Sequence, residues 1–139
     1  MKRLYPICLL VFATFFGSCK KFIQKQEEKA ALSIMTDGSW YVQLYQQNDS
    51  DITASFSGYL FKFDANGTVT GANDSVSVKG SWSTNIAARS IITDFPAAAA
   101  PVKYLNETWK ITDSYTDSVV ANSIDTTNNT SNILHLRKQ

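Results

Sequence analysis

Apolar and polar residues alternate over short stretches of the chain from Asp37 onward. The clearest stretch is 75–83, where valine, valine, glycine and Trp82 occupy every second position and serines and a lysine occupy the positions between them. Successive side chains of a β-strand point to opposite faces, so this pattern predicts a strand with one buried face and one hydrated face. The same alternation recurs several times before the chain ends.

The recurring pattern predicts an all-β domain of about eight strands. The predicted strands lie near residues 40–45, 59–63, 68–70, 75–83, 89–94, 103–112, 115–121 and 131–137. Asn66-Gly67 suits a tight hairpin, Asn128-Asn129 marks the last hairpin, and 95–101 is the one long irregular segment. Short connections between successive strands favour an antiparallel up-and-down barrel.

The N-terminus has a different pattern. Two basic residues, Lys2 and Arg3, precede an apolar run over 4–16 that ends at Gly17-Ser18. This order is typical of a secretory signal peptide, and the run is shorter than the ~20 apolar residues of a membrane-spanning helix. The alternative is a buried N-terminal helix. We therefore expect residues 1–18 to be removed from the mature protein.

Residues 16–19, Phe-Gly-Ser-Cys, resemble a bacterial lipobox. The resemblance implies that Cys19 is acylated and becomes the new N-terminus. Cys8 would leave with the signal peptide, so Cys19 would have no disulfide partner in the mature chain. Stable anchoring needs more than one acyl chain. These features predict an outer-membrane lipoprotein of the cell envelope, with the periplasmic leaflet and the cell surface both left open.

Residues 20–36 contain no glycine or proline and favour a helix. We interpret this segment as a tether with a short helix. The predicted organisation is therefore a signal peptide over 1–18, the lipidated cysteine and tether over 19–36, and a barrel domain over 37–139.

Composition and charge exclude several functions. The chain has 139 residues, of which 44% are hydrophobic, so it can form one packed domain. Thirteen basic and twelve acidic residues give a formal net charge of +1, which does not provide the basic surface of a nucleic-acid-binding protein. Loss of Lys2 and Arg3 would make the chain slightly acidic, so we expect the membrane anchor to be covalent rather than electrostatic.

The chain offers few residues for catalysis. His135 is the only histidine, and the sequence has neither the Gly-x-Ser-x-Gly nucleophile motif nor a glycine-rich phosphate loop. The stretch Asp64-Ala65-Asn66-Gly67 lacks the central glycine and closing glutamate of a calcium loop. We therefore expect a non-enzymatic protein without a metal or cofactor.

Four short motifs resemble those of lipocalin-like (calycin-type) small β-barrel lipoproteins of Bacteroidota. They are Gly38-Ser39-Trp40, the stretch 58–69, Gly80-Ser81-Trp82, and the stretch 105–111 around Trp109, and the resemblance extends over 37–138. Independently of the resemblance, we expect the tryptophans to fill the barrel ends; the alternative is that Gly-x-Trp at Trp40 and Trp82 marks an internal repeat. In lipocalins an arginine near the end of the barrel covers the first-strand tryptophan, and Arg137 stands where that residue would be.

Five residues are candidates for a ligand site. Tyr41, Tyr45, Tyr59 and Tyr104 could form an aromatic rim at a barrel mouth. Glu107 shares a face with inward-pointing neighbours by alternation, and a buried carboxylate needs a partner such as Arg89 or Lys103. The alternative is a bulge that turns Glu107 outward.

Two functions are consistent with these features. The leading hypothesis is a lipid-anchored, non-catalytic envelope protein that holds a small apolar or amphipathic ligand in the barrel. The alternative is a protein–protein interaction or assembly module with a filled core. An interior cavity of roughly 300–1,000 Å³ would favour the first, and a fully packed core would favour the second. Ser75 and Ser118 also lie in Asp-Ser-Val triplets that resemble O-glycosylation motifs of Bacteroidota, and their modification is left open.

Overall fold

The computed structural model describes the backbone of residues 16–139 and the side chains from Lys25 onward. The predicted signal peptide lies almost wholly outside these residues, so its removal and the acylation of Cys19 remain predictions. The predicted tether helix is present as α1, Phe16–Thr36. Its run of helix-favouring residues ends at Asp37-Gly38, where Gly38 takes a left-handed φ of 73°.

The rest of the chain forms nine strands and two 3₁₀-helices within the described residues. The strands are β1 (Trp40–Gln47), β2 (Ser50–Asp51), β3 (Leu60–Phe63), β4 (Thr68–Ala72), β5 (Ser77–Asn85), β6 (Ser90–Asp94), β7 (Thr108–Ser114), β8 (Ser118–Asp125) and β9 (Thr130–Lys138). The 3₁₀-helices are Thr53–Phe56 and Val102–Leu105. All eight predicted strands are found. Three clear differences remain: the start of the predicted strand 103–112 is 3₁₀-helical, residues 115–117 of the predicted strand 115–121 lie outside a strand, and β2 was not predicted.

The strands close into a barrel. Each strand from β3 to β9 pairs with the next in antiparallel order, and β9 pairs with β1 from Trp40↔Lys138 to Gln47↔Asn132. β1 also meets β3 at Trp40↔Phe61, and the two-residue β2 pairs only with the end of β1. Among the described residues, eight strands therefore make a closed up-and-down barrel with β2 as an addition, which confirms the predicted fold.

The barrel has two distinct ends. The helix end carries α1, the turns 64–67, 86–89 and 115–117, and the end of β9. The far end carries the turns 73–76 and 126–129 and the long segment 95–107. Phe95 and Leu105 of that long segment are buried in the core, so the segment closes the far end.

The three tryptophans are buried at the two ends, and each indole N–H has a backbone acceptor. At the helix end, Nε1 of Trp40 donates to Met35 O at 2.9 Å and Nε1 of Trp82 donates to Asp64 O at 2.8 Å. At the far end, Nε1 of Trp109 donates to Leu105 O at 3.0 Å. Burying these rings leaves no indole N–H unsatisfied, which is the condition for placing tryptophan in a core.

The end of α1 is fastened to the barrel. Besides the Trp40 indole, Nζ of Lys62 donates to Thr36 O at 2.6 Å and to Gly38 O at 3.2 Å. The carbonyls at a helix C-terminus have no partners within the helix, so these donors satisfy groups that would otherwise need water. Met35 itself is buried in the core. The last turn of the tether therefore packs as part of the domain that was expected to start at Asp37.

The residue that covers Trp40 is Lys138, which corrects the expected pairing with Arg137. Nζ of Lys138 lies 5.2 Å from the centroid of the Trp40 ring and 3.2 Å from Oδ2 of Asp37. Lys138 is the direct cross-strand partner of Trp40, so both side chains lie on the inner face of the sheet. Arg137 is the neighbour of Lys138 in β9, so its side chain points to the outer face. Its guanidinium lies 3.9 Å from the Asp117 carboxylate.

Candidate functional site

The barrel interior is almost completely filled. Its cavity measures about 30 Å³, which holds little more than a water molecule, and apolar and aromatic side chains line it. Phe61 and Phe95 pack edge to face with centroids 6.3 Å apart, and Tyr45 packs in the same way on Trp109 at 5.9 Å. A cavity of this size does not hold a ligand inside the barrel.

A larger space, which we name the helix groove, lies between α1 and the helix end of the barrel. Its volume is about 420 Å³. One wall is α1, and the other is formed by the β5–β6 and β7–β8 hairpins. The lining residues are Glu27, Ala31, Ile34 and Met35 of α1 and Thr84, Asn85, Ile86, Arg89, Ser90, Ile91, Ile111, Ser114, Tyr115 and Val119 of the barrel.

The floor of the helix groove separates it from the interior cavity. Met35, Ile91, Ile111 and Val119 line both spaces, so a single layer of side chains divides them. Met35 is the member of this layer that comes from α1. Its side chain is unbranched and flexible and adapts to irregular gaps. The groove is therefore a depression with an apolar floor that lies over a filled barrel.

Two side chains of opposite charge line the helix groove. Glu27 is on the α1 wall and Arg89 is on the β5–β6 turn of the barrel wall. No ion pair joins them, or joins either of them to another described residue. Arg89 has a left-handed φ of 51°, and its backbone is held by hydrogen bonds to Ile86 O at 3.1 Å and from Ile111 N at 2.8 Å. The groove thus has a cationic side chain on one wall, carried by a held backbone and itself exposed, and an anionic side chain on the other.

Tyr115 adds an exposed aromatic edge to the helix groove. It lies in the β7–β8 turn, its side chain is 61% exposed, and its hydroxyl donates to Oδ2 of Asp113 at 3.2 Å. A tyrosine at the edge of a depression offers an apolar face with a polar tip. Tyr115 was not among the tyrosines that the sequence predicted to form an aromatic rim.

The five predicted site residues do not line the helix groove. Tyr45 and Tyr59 are buried in the core, and Tyr41 is half-buried on the outer face of β1 opposite Arg137. Tyr104 is half-buried in the 3₁₀-helix at the far end, where its carbonyl accepts from the Tyr45 hydroxyl at 2.7 Å. Of these tyrosines, the structure brings Tyr45 and Tyr104 into contact, and they meet at the far end of the barrel, opposite the helix groove.

A register irregularity explains the position of Tyr45. The pairing of β1 with β9 shifts between Val42 and Leu44, so one extra residue interrupts the alternation of β1. Tyr45 consequently points inward like Trp40, rather than outward as simple alternation predicts. Burial raises the pKa of the Tyr45 hydroxyl far above its ordinary value, with the charge of Glu107 as a second cause.

Glu107 lies near Tyr45, between the second 3₁₀-helix and β7. It is half-buried, and within the described part of the chain it forms no ion pair with Arg89 or Lys103. Arg89 is at the helix end, so it cannot act as the expected partner. Burial raises the pKa of the Glu107 carboxyl, and the nearby charge of Asp125 raises it further.

Comparisons with known proteins bear on the fold. The crystal structure of a DUF4847 family protein from Bacteroides vulgatus matches this chain with a TM-score of 0.55 and 15% sequence identity. The match covers 78% of this chain and 99% of that chain. It shows a shared small-barrel fold. No protein-family model matches the chain, and no curated protein matches it in sequence.

The described residues also bear on membrane spans and metal sites. None of the helices over 16–139 is both long and apolar enough to span a bilayer. Among the side chains that the structure describes, no three His, Cys, Asp or Glu lie close enough together to hold a metal ion.

Proposed function

We propose that the protein is a lipid-anchored, non-catalytic envelope protein that binds a small amphipathic ligand in the helix groove. The observation that carries the proposal is the groove itself. Its volume of about 420 Å³ lies within the ~300–1,000 Å³ of small-molecule sites. An apolar floor with a few polar groups at the edge is also typical of such sites.

The proposal places the ligand at the mouth of the barrel rather than inside it. The interior cavity of about 30 Å³ leaves no room for a ligand unless core side chains move. Close-packed cores resist such movement, because each displaced side chain loses its contacts. The helix groove requires no such displacement.

The predicted anchor supports a site close to the membrane. Cys19 precedes Glu27 by eight residues of α1, a distance of about 12 Å along the helix axis. Acylation of Cys19 would therefore hold the helix groove near the lipid surface, where amphipathic molecules are concentrated. In this proposal α1 is both the tether and one wall of the site.

Blocking the helix groove tests the proposal. Ala31→Trp places a large ring on the α1 wall, whereas Glu28→Trp adds the same ring at an exposed position of α1 that does not line the groove. The measurement is the fluorescence of an apolar dye, anilinonaphthalene sulfonate, added to the full chain. We expect Ala31→Trp to remove dye binding and Glu28→Trp to retain it. Equal dye binding by all three proteins would reject the groove as a site.

The filled barrel favours a second candidate, the interaction or assembly module. Its outer surface exposes Ile92, Ile124 and Ile133, with Ile124 72% exposed. Large exposed apolar side chains are common at protein interfaces. Cross-linking in whole cells tests this candidate. A partner that is lost with Ile124→Lys, while dye binding persists, would indicate that the outer face is the functional surface.

A further inference from the structure

The charges of the helix groove indicate which kind of amphiphile it binds. Among the described residues, Glu27 and Arg89 are the charged side chains that line it, and they come from opposite walls. Because neither forms an ion pair with another side chain from Lys25 onward, both are offered to a ligand. A ligand that carries only one charge would satisfy one wall and leave the other without a partner.

A zwitterionic head group satisfies both walls at once. Guanidinium groups bind phosphate through two parallel N–H···O hydrogen bonds, which makes Arg89 the position for an anionic phosphate. A carboxylate accepts hydrogen bonds from an ammonium group, which makes Glu27 the position for the cation. Ser90 and Ser114 also line the groove and add hydroxyl groups.

The floor of the helix groove suits an apolar chain. It consists of Met35, Ile91, Ile111 and Val119, and Ile34 adds apolar surface on the α1 wall. A volume of about 420 Å³ is in the lower part of the range for small-molecule sites, so it suits one chain rather than two. Head group and chain would then lie along the junction of α1 and the barrel.

We propose that the helix groove selects a zwitterionic amphiphile with a single chain, of the chemical class of an amine-bearing lysophospholipid. The phosphate binds Arg89, the ammonium group binds Glu27, and the acyl chain packs between α1 and the barrel. This inference rests on the proposed function, because it specifies the ligand of the same groove.

Native mass spectrometry of the full chain, extracted in mild detergent, tests the inference. The probes are palmitoyl lysophosphatidylethanolamine, which is zwitterionic, and palmitoyl lysophosphatidylglycerol, which has the same chain and phosphate but no amine. We expect about tenfold stronger retention of the zwitterionic probe, the effect of one charge-assisted contact. Free phosphoethanolamine, the head group without the chain, is expected not to bind.

Two variants assign the contacts. Glu27→Gln should lower retention of the zwitterionic probe to that of lysophosphatidylglycerol and leave the latter unchanged. Arg89→Gln should weaken both probes about tenfold, because both carry phosphate. The exposed neighbour Glu28→Gln is the matched control and should behave as the unmodified protein.

The outcomes separate the inference from the proposed function. Equal retention of both probes, lost with Ala31→Trp, would overturn the zwitterion selectivity while supporting a groove that binds amphiphiles. Absence of binding, or binding that Ala31→Trp does not change, would overturn both. Binding of free phosphoethanolamine as strongly as its acylated form would show a head-group site and would overturn the role of the chain.

Discussion

Replacing Lys138 should destabilise the protein more than replacing Arg137, although the two residues are adjacent and carry the same charge. The Lys138 side chain is 17% exposed, and its ammonium group lies 5.2 Å from the centre of the Trp40 ring. Arg137 is 48% exposed, and its ion pair with Asp117 is long at 3.9 Å. The substitutions Lys138→Ala and Arg137→Ala therefore compare a covered cation with a hydrated one.

The magnitude follows from the contacts of Lys138. A cation over an aromatic ring contributes about 1–2 kcal/mol when water is mostly excluded. The ion pair with Asp37 is close, but the Asp37 side chain is 82% exposed, so it adds about 0.5 kcal/mol or less. We therefore expect Lys138→Ala to lower the free energy of unfolding by about 1–2.5 kcal/mol, or the Tm by roughly 4–10 °C for a domain of this size. Arg137→Ala should change it by less than about 0.5 kcal/mol.

The assay is urea and thermal unfolding of the chain from Lys20, followed by tryptophan emission. Lys138→Met keeps the apolar stem and removes the charge, so it separates packing from the cation–ring contact. Lys138→Arg keeps a cation over the ring and should retain most of the stability. The reasoning is refuted if Arg137→Ala costs as much as Lys138→Ala, or if Lys138→Met is as stable as the unmodified protein.

Three other predictions concern packing, titration and the anchor. Gly80→Ala would place a Cβ against the carbonyl oxygen of Asp94 and the ring of Phe95, so we expect the free energy of unfolding to fall by about 1–3 kcal/mol. Urea unfolding measures this, and an unchanged midpoint would contradict the packing. Burial raises the pKa of Glu107, so its ionisation opposes folding at pH values above the raised pKa and has no effect where both states are protonated. Glu107→Gln should therefore raise the Tm at pH 7 and leave it unchanged near pH 3, and a gain of equal size at both pH values would show that charge is not the cause. Fatty-acid labelling should mark the unmodified protein and not Cys19→Ser, and equal labelling of both would exclude a lipid on Cys19.

Alternation predicted the strands well because the barrel has one buried face along almost its whole circumference. The prediction succeeded for β5, where Val78, Gly80 and Trp82 point inward and serines point outward. It failed for Tyr45, because a bulge in β1 changes the alternation by one residue and a sequence pattern does not show where an extra residue is inserted. The predicted contact between Arg137 and Trp40 was wrong for a related reason. Neighbouring residues of β9 point to opposite faces, and Lys138 rather than Arg137 shares the inner face with Trp40.

The helix groove could not be predicted from strand patterns. It forms where α1 lies beside two hairpins that are distant from it in sequence, and this placement depends on tertiary contacts such as those of Lys62 with the end of the helix. The irregular segment 95–101 was recognised from its prolines, but its role in closing the far end depends on the burial of its first residue, Phe95. Sequence alone therefore indicated the barrel and left the location of its accessible site undetermined.

The two chain segments that enter and leave the barrel do so at the same end. The backbone N–H of Gln139 donates to Ser39 O at 3.0 Å, so Gln139 lies directly beside the start of β1. A purification tag or fluorescent protein fused after Gln139 would therefore crowd α1 and the groove, and could mask a functional surface. A reporter inserted into the exposed 126–129 turn would be carried at the opposite pole, well separated from both. For labelling in living cells, that turn is the appropriate insertion site.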